Sequence, residues 1–519
     1  MIKKIFLLIF ILVVPSVCHA AVKGPYNSIE DINTAIGNSV AGDTIIVSDG
    51  IYTDPSVISF SAQGTSEQPI ILRAQTPGGV VFTGDPANYF ITMTGKYLIL
   101  ADFRFQNLSG AETTINLVDA DYCRITNCSF ENCDQYGGVI EIKGIANNYG
   151  SFVGSSTNNR IDHCIFDGCD NVNIENFIVD IERYGCADLG NIHNTFDHLV
   201  FRNLNHSAIQ IGRGSSLWAG GTRGYVSENA TDAYCTVENC YFSACTAQKT
   251  IENKSSNNTY RYNIFQNGAS GQLALRGGDD CIVDGNFFFE NGETSTSDYR
   301  GIKVCGSGHV ICNNYLQGPD SPMYPTNLSI VLLWGKDDGF YSPVSNVLIA
   351  NNTIRNSNRG FAFNKGSSTI PPVNCTFINN LAENHSYINP LFGYGYAGTG
   401  HIWTANRGHV EKGYLRHSSI PEAGVTDSGA FELTNTETSS WGDWYYTSSY
   451  ASGTYNANVT DDIEGRTRSN PPKIGCRENN DAAIRPMIKE NEVGIQWPNS
   501  TLAPYVPSSP SAPSNLQAQ

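Results

Sequence analysis

Tyr122-Cys-Arg-Ile-Thr-Asn-Cys-Ser-Phe-Glu-Asn-Cys133 recurs, with changes, as Asn159-Arg-Ile-Asp-His-Cys-Ile-Phe-Asp-Gly-Cys169 and as Tyr234-Cys-Thr-Val-Glu-Asn-Cys-Tyr-Phe-Ser-Ala-Cys245. Weaker copies follow at Tyr260–Gly268, Cys281–Gly292, His309–Gly318, Asn346–Asn356 and Cys375–Asn384. Each copy reads as a short strand, a tight polar turn carrying Asn, His or Cys, and a second short strand. Strands of this length, with β-branched or aromatic residues alternating inward, cannot fold alone. Stacked at about 4.8 Å per coil, they bury one continuous core. A repeat spaced from the low twenties to about forty residues is a solenoid signature. The expected fold is therefore all-β, a right-handed parallel β-helix, with turn asparagines hydrogen-bonded into a ladder.

Outward from the repeats, Ser28–Gly37 reads as a capping helix, with Ile29, Ile32 and Ala35 at helical spacing, and Gly42–Gly50 as a strand closed by a turn. Such a cap keeps the end of the solenoid core from water. Residues 385–460 lose the repeat and are expected to form long loops or a small β-rich addition. The stretch after residue 500, with Pro507-Ser-Ser-Pro-Ser-Ala-Pro-Ser, reads as a linker. It resembles the entry into a fibronectin type III module, so a longer parent is expected. The division is thus 1–20 leader, 21–500 β-helix and 501–519 linker.

The leader places the protein. Lys3 and Lys4, an apolar run from Ile5 to Val14, and the small-residue exit at Cys18-His19-Ala20 form a signal-peptide pattern. The run is too short to span a bilayer, so a periplasmic or secreted product is expected, without a membrane partner. The net charge of −17 disfavours nucleic acid. If the substrate is a polyanion, its cleft must be locally basic on an acidic protein. Of the fifteen cysteines one lies in the leader. Export would favour disulfides, but the others fall at equivalent repeat positions, which reads as stacked, buried thiols. No paired CxxC motif has zinc spacing.

The densest chemistry lies in Lys249-Thr-Ile-Glu-Asn-Lys-Ser-Ser-Asn-Asn258 and Gln272-Leu-Ala-Leu-Arg-Gly-Gly-Asp-Asp280. Unpaired charge is costly inside a sheet core, so these cations should face solvent. Lys254 and Arg276 are 22 residues apart, about one coil, and stacking should gather them with Lys249 on one patch. They are either solvated charges paired with Glu252 and Asp279, or a carboxylate-recognising site. In the second case crowding lowers a lysine pKa toward that of a usable base, and arginine supplies a fixed cation with a bidentate fork.

These segments, with Gly42-Asp-Thr-Ile, Asn253-Lys-Ser255, Tyr260-Arg-Tyr-Asn263, Leu273-Ala-Leu-Arg276, Gly308-His-Val-Ile-Cys-Asn-Asn314 and Asp462-Ile-Glu-Gly-Arg466, resemble polysaccharide lyase family 6, the alginate lyase and chondroitinase B family, from about residue 25 to 497. The resemblance implies β-elimination on a uronate polysaccharide. Lys254 would take the C5 proton and Arg276 would assist departure of the C4 oxygen. Many members hold a calcium ion with two glutamates seven and five residues before the base. Here those positions are Ala247 and Lys249, so the resemblance implies no cofactor, with the Lys249 ammonium meeting the substrate carboxylate. Gly277 stands where the family often has His. Lys303 matches a family arginine; Arg300, Arg213 and His309 are further substrate-binding candidates, for each of which a plain surface or turn role stays open, His309 in Gly-His-Val-Ile reading as a turn residue. Trp403, Trp441, Trp444 and Tyr445 are candidate sugar platforms. Alginate is the first expected substrate, and dermatan or chondroitin sulfate the second. Two other readings stay open: a non-catalytic glycan-binding solenoid, and a pectinase-like hydrolase using Asp279 and Asp280, whose carboxylates would have to flank a water.

Overall fold

The computed structural model describes residues 20–53, 56–85, 89–110, 113–135, 138–143, 145–146, 152–153, 155–170, 174–176, 192–212, 216–219, 222–225, 232–246, 249–268, 271–290, 299–318, 327–336, 341–384, 389–411, 413–427, 453–454, 456–478, 485 and 487–497. Arg213, Trp441, Trp444, Tyr445, Ala247, the leader up to residue 19 and the 501–519 stretch lie outside them.

Each coil contributes one strand to each of three long parallel sheets. One coil shows the pattern: Ile251–Lys254 in the second sheet, Thr259–Arg261 in the first, Ile264–Gln266 in the third, then Leu273–Gly277 back in the second, paired in parallel with Ile251–Lys254. This is the expected parallel β-helix. The helix Ile29–Gly37 closes its first end, with Ser28 Oγ accepting the Asp31 N–H at 3.1 Å. No helix among the described residues is long and apolar enough to cross a membrane.

The inward side chains stack like with like. Phe105, Phe130, Phe166, Phe201, Phe242, Phe265 and Phe288 form a column with ring centroids 4.6–5.1 Å apart, which is the rung spacing itself. Asn263, Asn286, Asn314, Asn352, Asn380 and Asn406 form the turn ladder, each Oδ1 from Asn286 onward accepting the backbone N–H of the asparagine one rung before at 3.0 Å. Cys128, Cys164 and Cys240 occupy the same column in earlier coils, and Cys240 N–H is the donor to Asn263 Oδ1. The described cysteines are free and buried, as their repeat positions imply.

Two expectations need correction beyond residue 385. The coil does not end there: Phe392–Tyr394, Ile402–Thr404 and Asn406–Val410 extend all three sheets, and Val425–Asp427 adds a further strand. The repeat was hidden because Trp403 and His401 replace the usual small and aliphatic core residues. The second correction concerns the described residues between 453 and 497, which turn back along the outside of the third sheet. Contacts run from Asn379 with Thr454, through Asn313 with Arg468, to His198 with Gly494 and Asn127 with Gln496. This strap covers about 40 Å of turns at about 4.8 Å per rung. Asp462-Ile-Glu-Gly-Arg466 is its anchor: Arg466 bonds Asp462 and Glu464, and Ile463 enters an apolar cluster with Ile264 and Phe287.

Candidate active site

Alternation along the strand Ile251–Lys254 divides its labour. Ile251 and Asn253 point inward and are fully buried, while Glu252 and Lys254 point outward. Asn253 donates to the carbonyls of Ser255 and Gly277 at 2.9 and 2.8 Å, and its Oδ1 accepts from Asn258 and from Tyr260 Oη, both at 2.8 Å. Ser255 Oγ accepts from Asn258 at 2.8 Å. The Asn-Lys-Ser motif is thus a buried polar knot on both sides of an outward lysine.

The neighbouring rung explains the arginine. Asn253 pairs with Leu275, but Lys254 pairs with Gly277, so Arg276 is the extra residue of a β-bulge. A bulge re-aims a side chain, and this one swings Arg276 toward Glu252. Close backbone approach continues at Gly278 (φ +80°), where a Cβ would lie 2.2 Å from the Ser255 carbonyl. On the other side Gly212 (φ +86°) would put a Cβ 2.6 Å from the Lys254 oxygen.

The three cations meet on one carboxylate. Lys249 Nζ and Arg276 NH1 each lie 2.6 Å from Glu252 Oε1, and Lys254 Nζ lies 3.1 Å from Oε2. Gln210 Oε1, one rung back, accepts from Lys254 Nζ at 3.2 Å. Burial alone would raise the Glu252 carboxyl, but Lys254, Lys249 and Arg276 pull it down to about 2. The Lys249 ammonium is shifted down by burial, helped by the charges of Arg276 and Lys254; Glu252 at 2.6 Å opposes this without reversing it. Three cations against one carboxylate leave a positive surplus.

A cavity of about 290 Å³ opens beside this cluster, lined among others by Lys249, Arg276, Lys303, Trp334, Tyr341 and Lys365. Arg276 lies over the Tyr341 ring at 5.7 Å and Lys365 over the Trp334 ring at 5.1 Å. A pairing of Gly335 with Ile370 holds the two loops together. Lys303 falls one rung beyond Ala274 and lines the cavity.

Three other candidates stand elsewhere. Arg300 is committed to Glu290 at 2.9 Å and does not line the cavity; its strand position turns it under residue 268. His309 is fully buried. Its Nδ1 accepts the Cys281 N–H at 3.0 Å and its Nε2 donates to the Cys305 carbonyl at 2.8 Å, so it is a turn-ladder residue, held neutral by burial. Trp403 is 8% exposed and stacked on Phe377 at 3.9 Å; it is core, not a sugar platform. Asp279 accepts the Ser307 N–H at 2.7 Å, and Asp280 holds a left-handed turn at φ 54°, so both serve the turn between sheets rather than the outward face of Lys254.

Sequence reasoning treated Glu252 only as a bland partner and missed Gln210, Trp334, Tyr341 and Lys365. A rung count would have found two of these: Trp334 and Lys365 directly follow strands of the same sheet, Leu328–Leu333 and Phe361–Asn364.

Fold and site together define a parallel β-helix protein with a basic, aromatic-walled cavity on one sheet, the equipment for an acidic glycan. A family profile described as chondroitinase B matches residues 26–380, and the chain belongs to that family of polysaccharide lyases. Solved structures agree in fold. One is a mannuronic-acid-specific family 6 lyase from human gut microbiota, 22% identical, covering 77% of this chain and 89% of that one, TM-score 0.56. The family 6 alginate lyase AlyGC is 22% identical over 92% of this chain, TM-score 0.65, with this chain covering 59% of that one. A family 6 lyase from Pseudopedobacter saltans is 18% identical over 92% of this chain and 99% of that one, TM-score 0.59. No curated protein sequence matches the chain.

Proposed function

We propose that this polysaccharide lyase cleaves alginate by β-elimination, with Lys254 as base, Arg276 as partner of the leaving oxygen and Lys249 as the cation that meets the uronate carboxylate. The observation that carries the reading is the convergence of all three on a single carboxylate, Glu252, at the edge of the cavity. An anionic group already sits where the site concentrates positive charge, and a sugar carboxylate is the same chemistry brought by substrate.

The C5–H of a uronate is weakly acidic and yields only when its carboxylate is neutralised as charge develops. In this reading Lys249 and Arg276 supply the neutralising charge. Lys254 first gives its ammonium proton to solvent; as the neutral amine it removes the C5 proton, the electron pair forms the C4=C5 double bond, and the C4–O bond breaks. The departing oxygen leaves against the Arg276 guanidinium and takes a proton from water to end as a hydroxyl, while Lys254 returns its proton to solvent.

A calcium ion suits this donor set poorly. The carboxylate positions are Ala247 and Lys249, and the one carboxylate present, Glu252, is already bonded to three cations. A hard dication needs several oxygen ligands, so no step is routed through one. The leader pattern supports export to the periplasm or beyond.

The test is a panel of mannuronate and guluronate blocks, dermatan sulfate and chondroitin sulfate, read by ultraviolet absorbance of the unsaturated product, with calcium or chelator added. We expect product from alginate at a rate that changes less than about twofold with either addition. Product only from the sulfated glycans would reject alginate, and strong calcium dependence would reject the role of Lys249.

A further inference from the structure

The outward pair of the catalytic strand has a counterpart. Ile140-Glu-Ile-Lys143 repeats the pattern of Ile251-Glu-Asn-Lys254 in the same sheet. Parallel register carries Glu141 to Glu175, to Gln210 and to Glu252, so the two pairs lie on one column, three rungs apart. At about 4.8 Å per rung that is about 14 Å.

The second pair is built as a binder. Lys143 Nζ lies 2.7 Å from Glu141 Oε2 and 3.0 Å from Tyr89 Oη, and 5.0 Å from the centre of the Tyr89 ring. Ser156 Oγ bonds the Lys143 carbonyl at 2.9 Å and fixes the strand end. Burial pushes the Lys143 ammonium down, but Glu141 and Tyr89 outweigh it and the net shift is upward. Lys143 therefore stays charged where Lys249 is shifted the other way. Its side chain is 26% exposed, enough for the ammonium to meet a ligand from solvent. An orienting carboxylate and a phenol at its flank limit the entropy lost on binding. On an acidic protein, an ordered outward cation in register with the cleavage site is placed to attract a polyanion.

We propose that Lys143, oriented by Glu141 and Tyr89, is a distal anion-binding station that takes a second acidic group of the same polysaccharide chain, carboxylate or sulfate ester, three rungs from Lys254. The proposal rests on the reading of Lys254 as the cleavage site. It makes the enzyme sense chain length, because a disaccharide at Lys254 is too short to touch Lys143.

The test is binding, measured by calorimetry in a Lys254→Ala background, for oligouronates from two to eight units, with sulfated chondroitin-type oligosaccharides as a second arm. Affinity should rise with length, and Lys143→Ala should weaken the longest oligosaccharides about five- to tenfold while changing the disaccharide less than twofold. Lys143→Gln, which keeps most of the stem, should do the same, and circular dichroism of both variants guards against misfolding. The arm that shows the length effect names the anion. Equal weakening at every length, no weakening, or no binding at any length overturns the proposal. Wild-type turnover is read separately: unsaturated product with unchanged length dependence in Lys143→Ala defeats this inference alone. A Lys143-dependent length effect without product from any uronan defeats the elimination chemistry alone.

Discussion

Glu252→Gln isolates the charge on which the site converges, since the amide keeps the size of the side chain and removes only its charge. In the folded protein burial pushes the carboxyl up, yet Lys254, Lys249 and Arg276 bring it to about 2, against an ordinary 4.5. A difference of about 2.5 units, at about 1.4 kcal/mol per unit, corresponds to about 3 kcal/mol of stability at neutral pH. The folded pKa is depressed, so this contribution is fully present above the unfolded value of 4.5. It is lost as pH falls through about 2. Thermal unfolding of the two proteins, followed by circular dichroism, should therefore differ most near neutrality and converge in acid. Catalysis should respond as well. Glu252 is what opposes the downward shift of Lys249, so its loss should move the alkaline limb of kcat/KM toward lower pH by about one unit. A variant as stable as wild type at neutral pH, or a stability gap unchanged from neutral to acid, would refute the claim that this carboxylate holds the cations.

Lys254→Ala should lower kcat by about 10²–10⁴, as for loss of a general base, and should destabilise the fold less than Glu252→Gln does, since Lys249 and Arg276 still pair with Glu252; full activity would remove it from the mechanism. Asn314→Ala should cost about 1–3 kcal/mol by leaving the Asn286 N–H and the Val283 carbonyl without their ladder partners, read by denaturant unfolding. Arg468→Ala should cost about 3–5 kcal/mol, because it removes the cation paired with buried Glu478 and one of the two bonds that tie Asn313 to the strap. Limited proteolysis after the 453–497 segment loosens is the direct check, and a strap that stays protected would count against its role.

The fold was legible because a solenoid writes its core into sequence once per coil. Cys128, Cys164 and Asn263 are separate motifs on paper and one column in space. Legibility failed where the column changes chemistry. Trp403 stacks in the core on Phe377, but a tryptophan in a Gly-rich stretch reads as a loop aromatic. His309 is a different case: in Gly-His-Val-Ile it reads as a turn residue as well as a substrate contact, and its ring does fill a ladder position by accepting the Cys281 N–H. The strap could not be seen at all, since its contacts, such as Asn127 with Gln496, join segments far apart in the chain and follow no period. In the site, 22-residue spacing found Lys254 and Arg276, but the bulge that aims Arg276 is a property of register, which spacing alone does not give.

Glu252 also resolves the problem posed by a basic site on an acidic protein. Lys249 Nζ and Arg276 NH1 share one oxygen at 2.6 Å each, which puts them within about 5 Å of one another. At that separation two like charges repel by about 3 kcal/mol in an effective dielectric of about 20. Lys254 on the other oxygen adds further repulsion. Without an anion between them the cations would swing apart or lose protons, and the site would have to be assembled at each turnover. Glu252 keeps them assembled while the site is empty, yet cancels only part of their charge. The remaining surplus is what the proposed uronate carboxylate would claim, and Lys249 and Arg276 carry their part of it into the lining of the cavity that Trp334 and Tyr341 wall. Preorganisation and anion affinity are thus set by the same side chain, which is why neutralising it should disturb stability and pH dependence together.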